Sequence, residues 1–247
     1  MSNYRIDDLQ INNLKLKQDK NLFCFGTDSV LLANFAEPKK DCQLLDIGTG
    51  NGIIPVLLSA KIYAKQIIGL EIQKESAELA KENVKLNNLE NLVKIVNGDI
   101  KSPDVFPAAS FDYITCNPPY KPVGTGIKND ITPLAIARHE IKCTLKDIIE
   151  KSSYLLKSKG KLALVHKPER LAEIIYLMKT SGIEPKKLQM VYSRYDTPPC
   201  LILIEGVKNG GVELKHLNPI YIYDEKGNYT ANISQLYNKR KDEQCEQ

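Results

Sequence analysis

The chain has 247 residues, 43% hydrophobic and 26% charged, an ordinary composition for a globular protein and ample length for a buried core. Its net charge of +4 is mild, no apolar run follows residues 1–5, and none approaches membrane-spanning length, so neither export nor membrane insertion is expected and a cytoplasmic location is. Six cysteines (Cys24, Cys42, Cys116, Cys143, Cys200, Cys245) form no Cys-x-x-Cys pair and three histidines (His139, His166, His216) no His-x-x-x-His spacing, so reduced thiols and no metal site are expected.

Residues 1–42 read as a strand-like opening, a turn near Asn21 and a helix over 27–36. From Gln43 short apolar runs alternate with helical patterns. Residues 43–47 form a buried strand and 53–60 an apolar helix with Pro55 in its first turn. A second strand over 66–72 leads to a helix from Lys74 to Asn87, with Ala77, Ala80 and Val84 on one face. Residues 92–96 and 111–116 are a third and a fourth strand. A helix over 144–157, a turn at 158–160 and a fifth strand over 161–165 follow. The next helix, 168–181, opens with Pro168 and places Leu171, Ile174, Ile175 and Met178 at helical spacing.

Strands alternating with helices at this spacing imply an α/β sandwich with a mainly parallel sheet. Two later runs, 187–195 and 201–207, leave no room for a helix between them and read as an antiparallel hairpin on the sheet edge. Residues 208–247 hold turns at 209–211 and 226–228 and a polar tail. One domain is expected, divided into an N-terminal segment 1–42, a core 43–207 and an extension 208–247.

Polar residues gather where the strands end. The first strand ends in Asp46-Ile-Gly48-Thr-Gly50-Asn-Gly52 and runs into a helix, so that backbone N–H groups can approach a ligand closely. The dinucleotide fingerprint Gly-x-Gly-x-x-Gly is not met, because Ile53 stands at its sixth position. A carboxylate beside the loop would repel a pyrophosphate and suits a ligand carrying an ammonium or sulfonium. Glu71 closes the second strand, where an acid can hold ribose hydroxyls. Asp99, followed by Ile100, closes the third, where an acid can accept from an exocyclic amine.

The fourth strand ends in Asn117-Pro118-Pro119-Tyr120. An Asn oxygen and the Pro118 carbonyl can both accept from one planar NH2 group, prolines stiffen the turn, and Tyr120 offers a flat face for stacking. Between Lys142 and Arg170 eight cations face three acids, which fits a nucleic-acid face or a solvated helix exterior.

The series of Asp46 to Gly52, Glu71, Asp99 and Asn117 to Tyr120 resembles the class I S-adenosylmethionine-dependent methyltransferases with an NPPY motif. That resemblance implies a Rossmann-like fold with a seven-stranded, mainly parallel sheet, its last strand antiparallel and helices on both faces. It implies S-adenosylmethionine as cofactor, with Asp46, Gly48, Gly50 and Gly52 facing the methionine moiety, Glu71 the ribose, and Asp99 with Ile100 the adenine. Residues 25–32 resemble the segment that completes this pocket, where Asp28 would help hold the ammonium; Thr27 or Asp28 can equally begin a helix. Members methylate planar nitrogens of adenine, guanine or glutamine, and the motif by itself does not choose among them.

Together with residues 137–140 and the stretch from Ile220 to Thr230, nearly the whole chain is similar to the bacterial tRNA1(Val) (adenine-37-N6)-methyltransferase family. This implies tRNA as partner, with Asn117, Pro118 and Tyr120 at the reacting amine and Pro119 beside the substrate. Arg138 and His139 can contact the phosphate backbone or order the loop before them, and Lys167 and Arg170, at the tip of the fifth strand, are better placed for RNA than the helix lysines. A loop over 121–130 would close over the flipped base. A guanine-N2 rRNA methyltransferase, a glutamine-N5 protein methyltransferase and a non-catalytic RNA-binding module are the alternatives.

Overall fold

A computed structural model describes residues 4–20, 22, 25–120 and 143–236. Its centre is β3 (Gln43–Ile47), an apolar strand buried along most of its length because neighbours flank both its edges and helices cover both its faces. On one side lie β4 (Gln66–Glu71) and β5 (Val93–Asn97). On the other lie β6 (Phe111–Cys116) and β7 (Leu156–His166), all parallel. Next comes β9 (Pro199–Lys208), antiparallel to β7 and to its outer neighbour β8 (Ile183–Tyr192). The expected seven strands thus stand in the order β5-β4-β3-β6-β7-β9-β8, with β9 antiparallel.

Two expectations need correction. The β8–β9 hairpin does not end the sheet: β10 (Lys215–His216) and β11 (Ile220–Tyr221) pair in parallel with β8, making nine strands. These additions are too short to give a strand pattern in the sequence. Residues 158–160 are not a turn but part of β7, where Lys159 adopts φ 65° and pairing with β6 shifts register. A Cβ on Gly160 would lie 2.9 Å from the Lys157 carbonyl, so only glycine fits this kink.

Side-chain alternation divides the core. Leu44, Tyr113, Ala163 and Leu203 face α1 (Thr27–Phe35), α2 (Ile53–Lys61) and α3 (Lys74–Leu86). Leu45, Ile114, Leu164 and Ile204 face α4 (Leu145–Leu155) and α5 (Leu171–Thr180), the latter preceded by a 3-10 turn at Pro168–Arg170. Ile174 and Met178 of α5 are buried as its spacing predicts. A hairpin of β1 (Tyr4–Asp8) and β2 (Lys15–Asp19) docks on α3, where Asn83 bonds both the N–H and the C=O of Lys17. The chain closes with α6 (Ala231–Leu236). No helix among the described residues is long and apolar enough to cross a membrane. Cys42, Cys116, Cys143 and Cys200 are free thiols.

The strand order changes direction between β3 and β6. Their carboxyl ends leave a crevice of the kind in which open α/β sheets bind ligands. Pairing of Ile47 with both Leu70 and Cys116 and of Glu71 with Asn97 brings four strand tips level.

Candidate active site

Strand parity decides which polar side chains meet in the crevice. Asp46 on β3 and Thr115 on β6 are register partners on the same face, and Asn117 continues that face one step past the strand. Asp46 is fully buried. The Thr115 hydroxyl donates to its Oδ1 at 2.7 Å, while its Oδ2 has no hydrogen-bond partner. Burial pushes its pKa up to about 7 against the opposing pull of the Thr115 bond, and the Glu71 charge adds to the rise. Thr49 also favours the ionised form, although its hydroxyl makes no bond of good geometry. An unpartnered carboxylate oxygen in such a place is an acceptor matched to a cationic donor.

The loop after β3 turns through three glycines with positive φ: Gly48 at 70°, Gly50 at 58° and Gly52 at 84°. A Cβ on Gly48 or Gly50 would meet no atom within 4 Å, so the loop presents bare backbone to an open cradle. Glu71, almost wholly buried, fixes that cradle. Its Oε2 accepts from the Gly50 N–H and its Oε1 from the Gln73 N–H, both at 2.9 Å. Asn97 at the end of β5 donates to the Glu71 carbonyl at 2.8 Å, tying the third tip to the second. Asp99 is half-buried and accepts from the Lys101 N–H at 2.9 Å, and Ile100 is buried beneath it.

Across the crevice, the Asn117 amide donates to Ser29 Oγ at 3.0 Å. The Tyr120 hydroxyl lies 2.8 Å from Asn117 Oδ1 and 2.7 Å from Asp28 Oδ2. A phenol has one proton, so it serves one acceptor at a time. A carboxylate is the stronger acceptor, and the proton rests on the Asp28 side. Asn117 Oδ1 keeps its lone pairs for another donor. Burial and the Asp28 charge hold the Tyr120 pKa far above its ordinary range, so the phenol stays neutral. Asp28 does not cap α1; Gly26 is the N-cap, and Asp28 sits in the first turn.

Tyr120 is less open than a bare stacking face. Its ring meets His166 edge-on at 5.4 Å, and Lys167 Nζ stands 5.4 Å from its centroid. Lys167 also donates to the Cys200 carbonyl at 3.3 Å. Pro118 is buried and Pro119 half-buried beside the crevice. Arg138, His139 and the loop over 121–130 lie outside the described residues.

Among the described residues, half of the basic window's eight cations are taken up in ion pairs. Lys146, Lys157, Lys161 and Arg170 pair with Glu150, Asp112, Glu205 and Glu173. Arg170, which looks placed for RNA at the tip of the fifth strand, is held bidentately by Glu173 at 2.8 and 2.7 Å.

Sequence reasoning misses Ser29, Thr115, Asn83 and His166. Asn83 donates to the Asn51 carbonyl and so joins the N-terminal hairpin to the glycine loop; an Asn in a helix interior was its signal. Thr115 showed only as a polar break in an apolar strand. His166 is fully buried, and its Nδ1 accepts from the Lys167 N–H, which leaves the hydrogen on an unpartnered Nε2. Burial and the Arg170 charge press its pKa down to about 4, so the ring is neutral near pH 7.

The family model described as methyltransferase small domain matches residues 13–181. A tRNA1(Val) (adenine(37)-N6)-methyltransferase from Porphyromonas gingivalis is 30% identical over 73% of this chain and 72% of its own length. Enzymes of the same name from Tolumonas auensis and Bacteroides fragilis are 28% and 24% identical, over 76% and 93% of this chain and 78% and 97% of theirs. Among solved structures, a predicted O-methyltransferase from Agrobacterium tumefaciens superposes with a TM-score of 0.69 at 20% identity, covering 85% of this chain and 95% of that one. A SAM-dependent methyltransferase from Aquifex aeolicus gives 0.52 at 17% identity, covering 76% and 91%. At these identities the structures speak for the fold alone.

Proposed function

The chain belongs to the methyltransferase small domain family, and from that premise we propose that it transfers a methyl group from S-adenosylmethionine to the N6 amine of an adenine in tRNA, adenine 37 of tRNA1(Val). The observation that carries this reading is the side-by-side placement, on adjoining strand tips, of a buried Asp46 carboxylate oxygen without a hydrogen-bond partner and the Asn117 amide oxygen, whose contact with the Tyr120 hydroxyl leaves it a lone pair for a further donor. One suits the cationic donor and the other the acceptor amine.

The residues present fit the cofactor. Asp46 and Asp28 supply negative charge for its ammonium and sulfonium, and the loop of Gly48, Gly50 and Gly52 supplies bare backbone. Glu71 has lone pairs left for ribose hydroxyls after accepting two N–H groups. Asp99 with Ile100 would receive the adenine. When bound, the cofactor contributes a methyl group on a positively charged sulfur that is itself a good leaving group.

The protein's task is then positional. An exocyclic amine is a poor nucleophile because its lone pair is delocalised into the ring. Acceptance of its two hydrogens by Asn117 Oδ1 and the Pro118 carbonyl draws the nitrogen towards tetrahedral geometry and meets the charge that develops there. Ser29 holds the Asn117 amide in the orientation this requires, and Asp28 draws the Tyr120 proton away from Oδ1. Methyl transfer breaks the carbon–sulfur bond and leaves the nitrogen cationic. A methylated, charged aryl amine is strongly acidic and releases one proton to solvent, so no strong base is needed, and the neutral Tyr120 phenol and the weakly basic His166 ring supply none. Pro119, Lys167, Arg138 and His139 would contact the RNA. Residues 1–247 would act as one domain, in the cytoplasm.

Incubation with S-adenosylmethionine and unmodified bulk tRNA, followed by nucleoside mass spectrometry, tests the reading. N6-methyladenosine is expected. N2-methylguanosine in its place transfers the reading to guanine, methylated glutamine in a protein transfers it to the third branch, and cofactor binding without any methylation leaves a non-catalytic RNA-binding module.

A further inference from the structure

At the same carboxyl edge of the sheet, outside the site described above, five tyrosines gather on two segments far apart in sequence. Tyr192 ends β8 and Tyr195 follows it; Tyr221, Tyr223 and Tyr229 belong to the C-terminal extension. Tyr221 lies 5.3 Å from Tyr192 and 5.7 Å from Tyr195 between ring centroids, and Tyr223 stacks on Tyr229 at 5.3 Å with the planes 12° apart. Tyr195 is 82% exposed and Tyr229 48%. Single exposed aromatics are ordinary surface features; here a group of three rings, Tyr192, Tyr195 and Tyr221, and a stacked pair, Tyr223 and Tyr229, are joined by one segment on which Tyr221 and Tyr223 stand two residues apart.

The cluster is built rather than loose. Pairing of Tyr221 with Tyr192 and of Tyr223 with Tyr229 sets the rings against each other. Backbone bonds from Ile222 to Tyr192 and from Tyr223 to Ser193, both 2.9 Å, pin the extension to the end of β8. Thr197 closes the loop below Tyr195 by bonding both the N–H and the C=O of Arg194. Asp224 spends its carboxylate on the N–H groups of Lys226 and Asn228. Rings already held in place lose little freedom when something stacks on them.

Charge narrows the occupant. Around the rings Arg194 and Lys226 stand against Asp196, Asp224 and Glu225, so the patch has no excess of positive charge for a phosphate backbone. Affinity for RNA here would rest on stacking rather than on phosphate contacts, and stacking reaches the π-faces of bases left exposed in unpaired RNA. The sheet links the patch to the proposed active site: Tyr192 pairs with Pro199, the adjoining Cys200 carbonyl accepts from Lys167, and Lys167 stands over Tyr120. Three strand spacings separate β6 from β8, about 14 Å at ~4.8 Å each.

We propose that Tyr192, Tyr195, Tyr221, Tyr223 and Tyr229 form a stacking platform for unpaired nucleotides that flank the target base. This rests on the reading of the substrate as RNA. It gives the C-terminal extension a role in holding the substrate, separate from methyl transfer.

The chain contains no tryptophan, so Tyr195→Trp places a single fluorescent indole on the platform. An unmodified anticodon stem–loop RNA should quench it, and a fully paired duplex of the same composition should not. The exposed double variant Tyr195→Ala/Tyr229→Ala should raise KM for tRNA about tenfold or more, with kcat and cofactor affinity unchanged, and Tyr195→Phe/Tyr229→Phe should restore it. Equal quenching by the duplex, or methylation with unchanged KM in the alanine variant, overturns the platform while leaving methyl transfer intact. Selective quenching in an enzyme that methylates no RNA supports the platform and overturns the reading of the function.

Discussion

Replacement of Asp46 by Asn separates the cost of a buried charge from its use. In the free protein the carboxyl titrates near 7 instead of at its ordinary 3.8, because burial disfavours the ionised form. Between those values the folded state keeps a proton that the unfolded chain has already released. Stability therefore falls as pH rises from about 4 to about 7 and levels off above. A gap of about 3 pH units at ~1.4 kcal/mol each amounts to about 4 kcal/mol, and complete burial of the side chain leaves solvent little part in screening it. Asn cannot ionise and escapes this loss. Thermal unfolding of both proteins from pH 4 to pH 8 removes the titrations they share, leaving a difference that grows in favour of Asp46→Asn by about 4 kcal/mol. At ~2–4 °C per kcal/mol, the relative shift in Tm is roughly 8–16 °C. The same variant loses affinity for S-adenosylmethionine, so a substitution that stabilises the protein at pH 8 disables it. A difference that stays flat with pH would mean that Asp46 is ionised throughout, and the argument from its unpartnered oxygen would fail.

Asn117→Ala removes the oxygen proposed to receive the amine; kcat should fall by about 10² or more while calorimetry finds cofactor affinity nearly unchanged. An equal loss of cofactor affinity would place Asn117 on the wrong side of the crevice. Glu71→Ala should do the reverse, weakening cofactor binding and leaving the N–H groups of Gly50 and Gln73 without their acceptor, at a cost in unfolding free energy of about 1–3 kcal/mol. Unaltered cofactor affinity in that variant would contradict the assignment of Glu71 to the ribose.

The strand tips were legible because each carries a polar residue directly after an apolar run, and a parallel sheet places such residues along one edge. Asp46, Glu71, Asp99 and Asn117 could all be read in this way. Their supports could not. Ser29 and Thr115 matter through register and strand parity, which appear only once β3, β6 and α1 are packed. Lysine spacing left a basic face and a solvated helix exterior both open, because two of the acids that pair with these cations come from other elements: Asp112 from β6 and Glu205 from β9. The grouping of the tyrosines was hidden for the same reason, since β11, the two-residue strand that sets Tyr221 against Tyr192, leaves no periodic trace.

Methyl transfer from labelled S-adenosylmethionine to two tRNA1(Val) transcripts that differ only in adenine 37 identifies the target atom. Label is expected in the N6 position of that adenine in the first transcript and none in the second. Equal labelling of both, or labelling of neither by a protein that binds the cofactor, would contradict the proposed function.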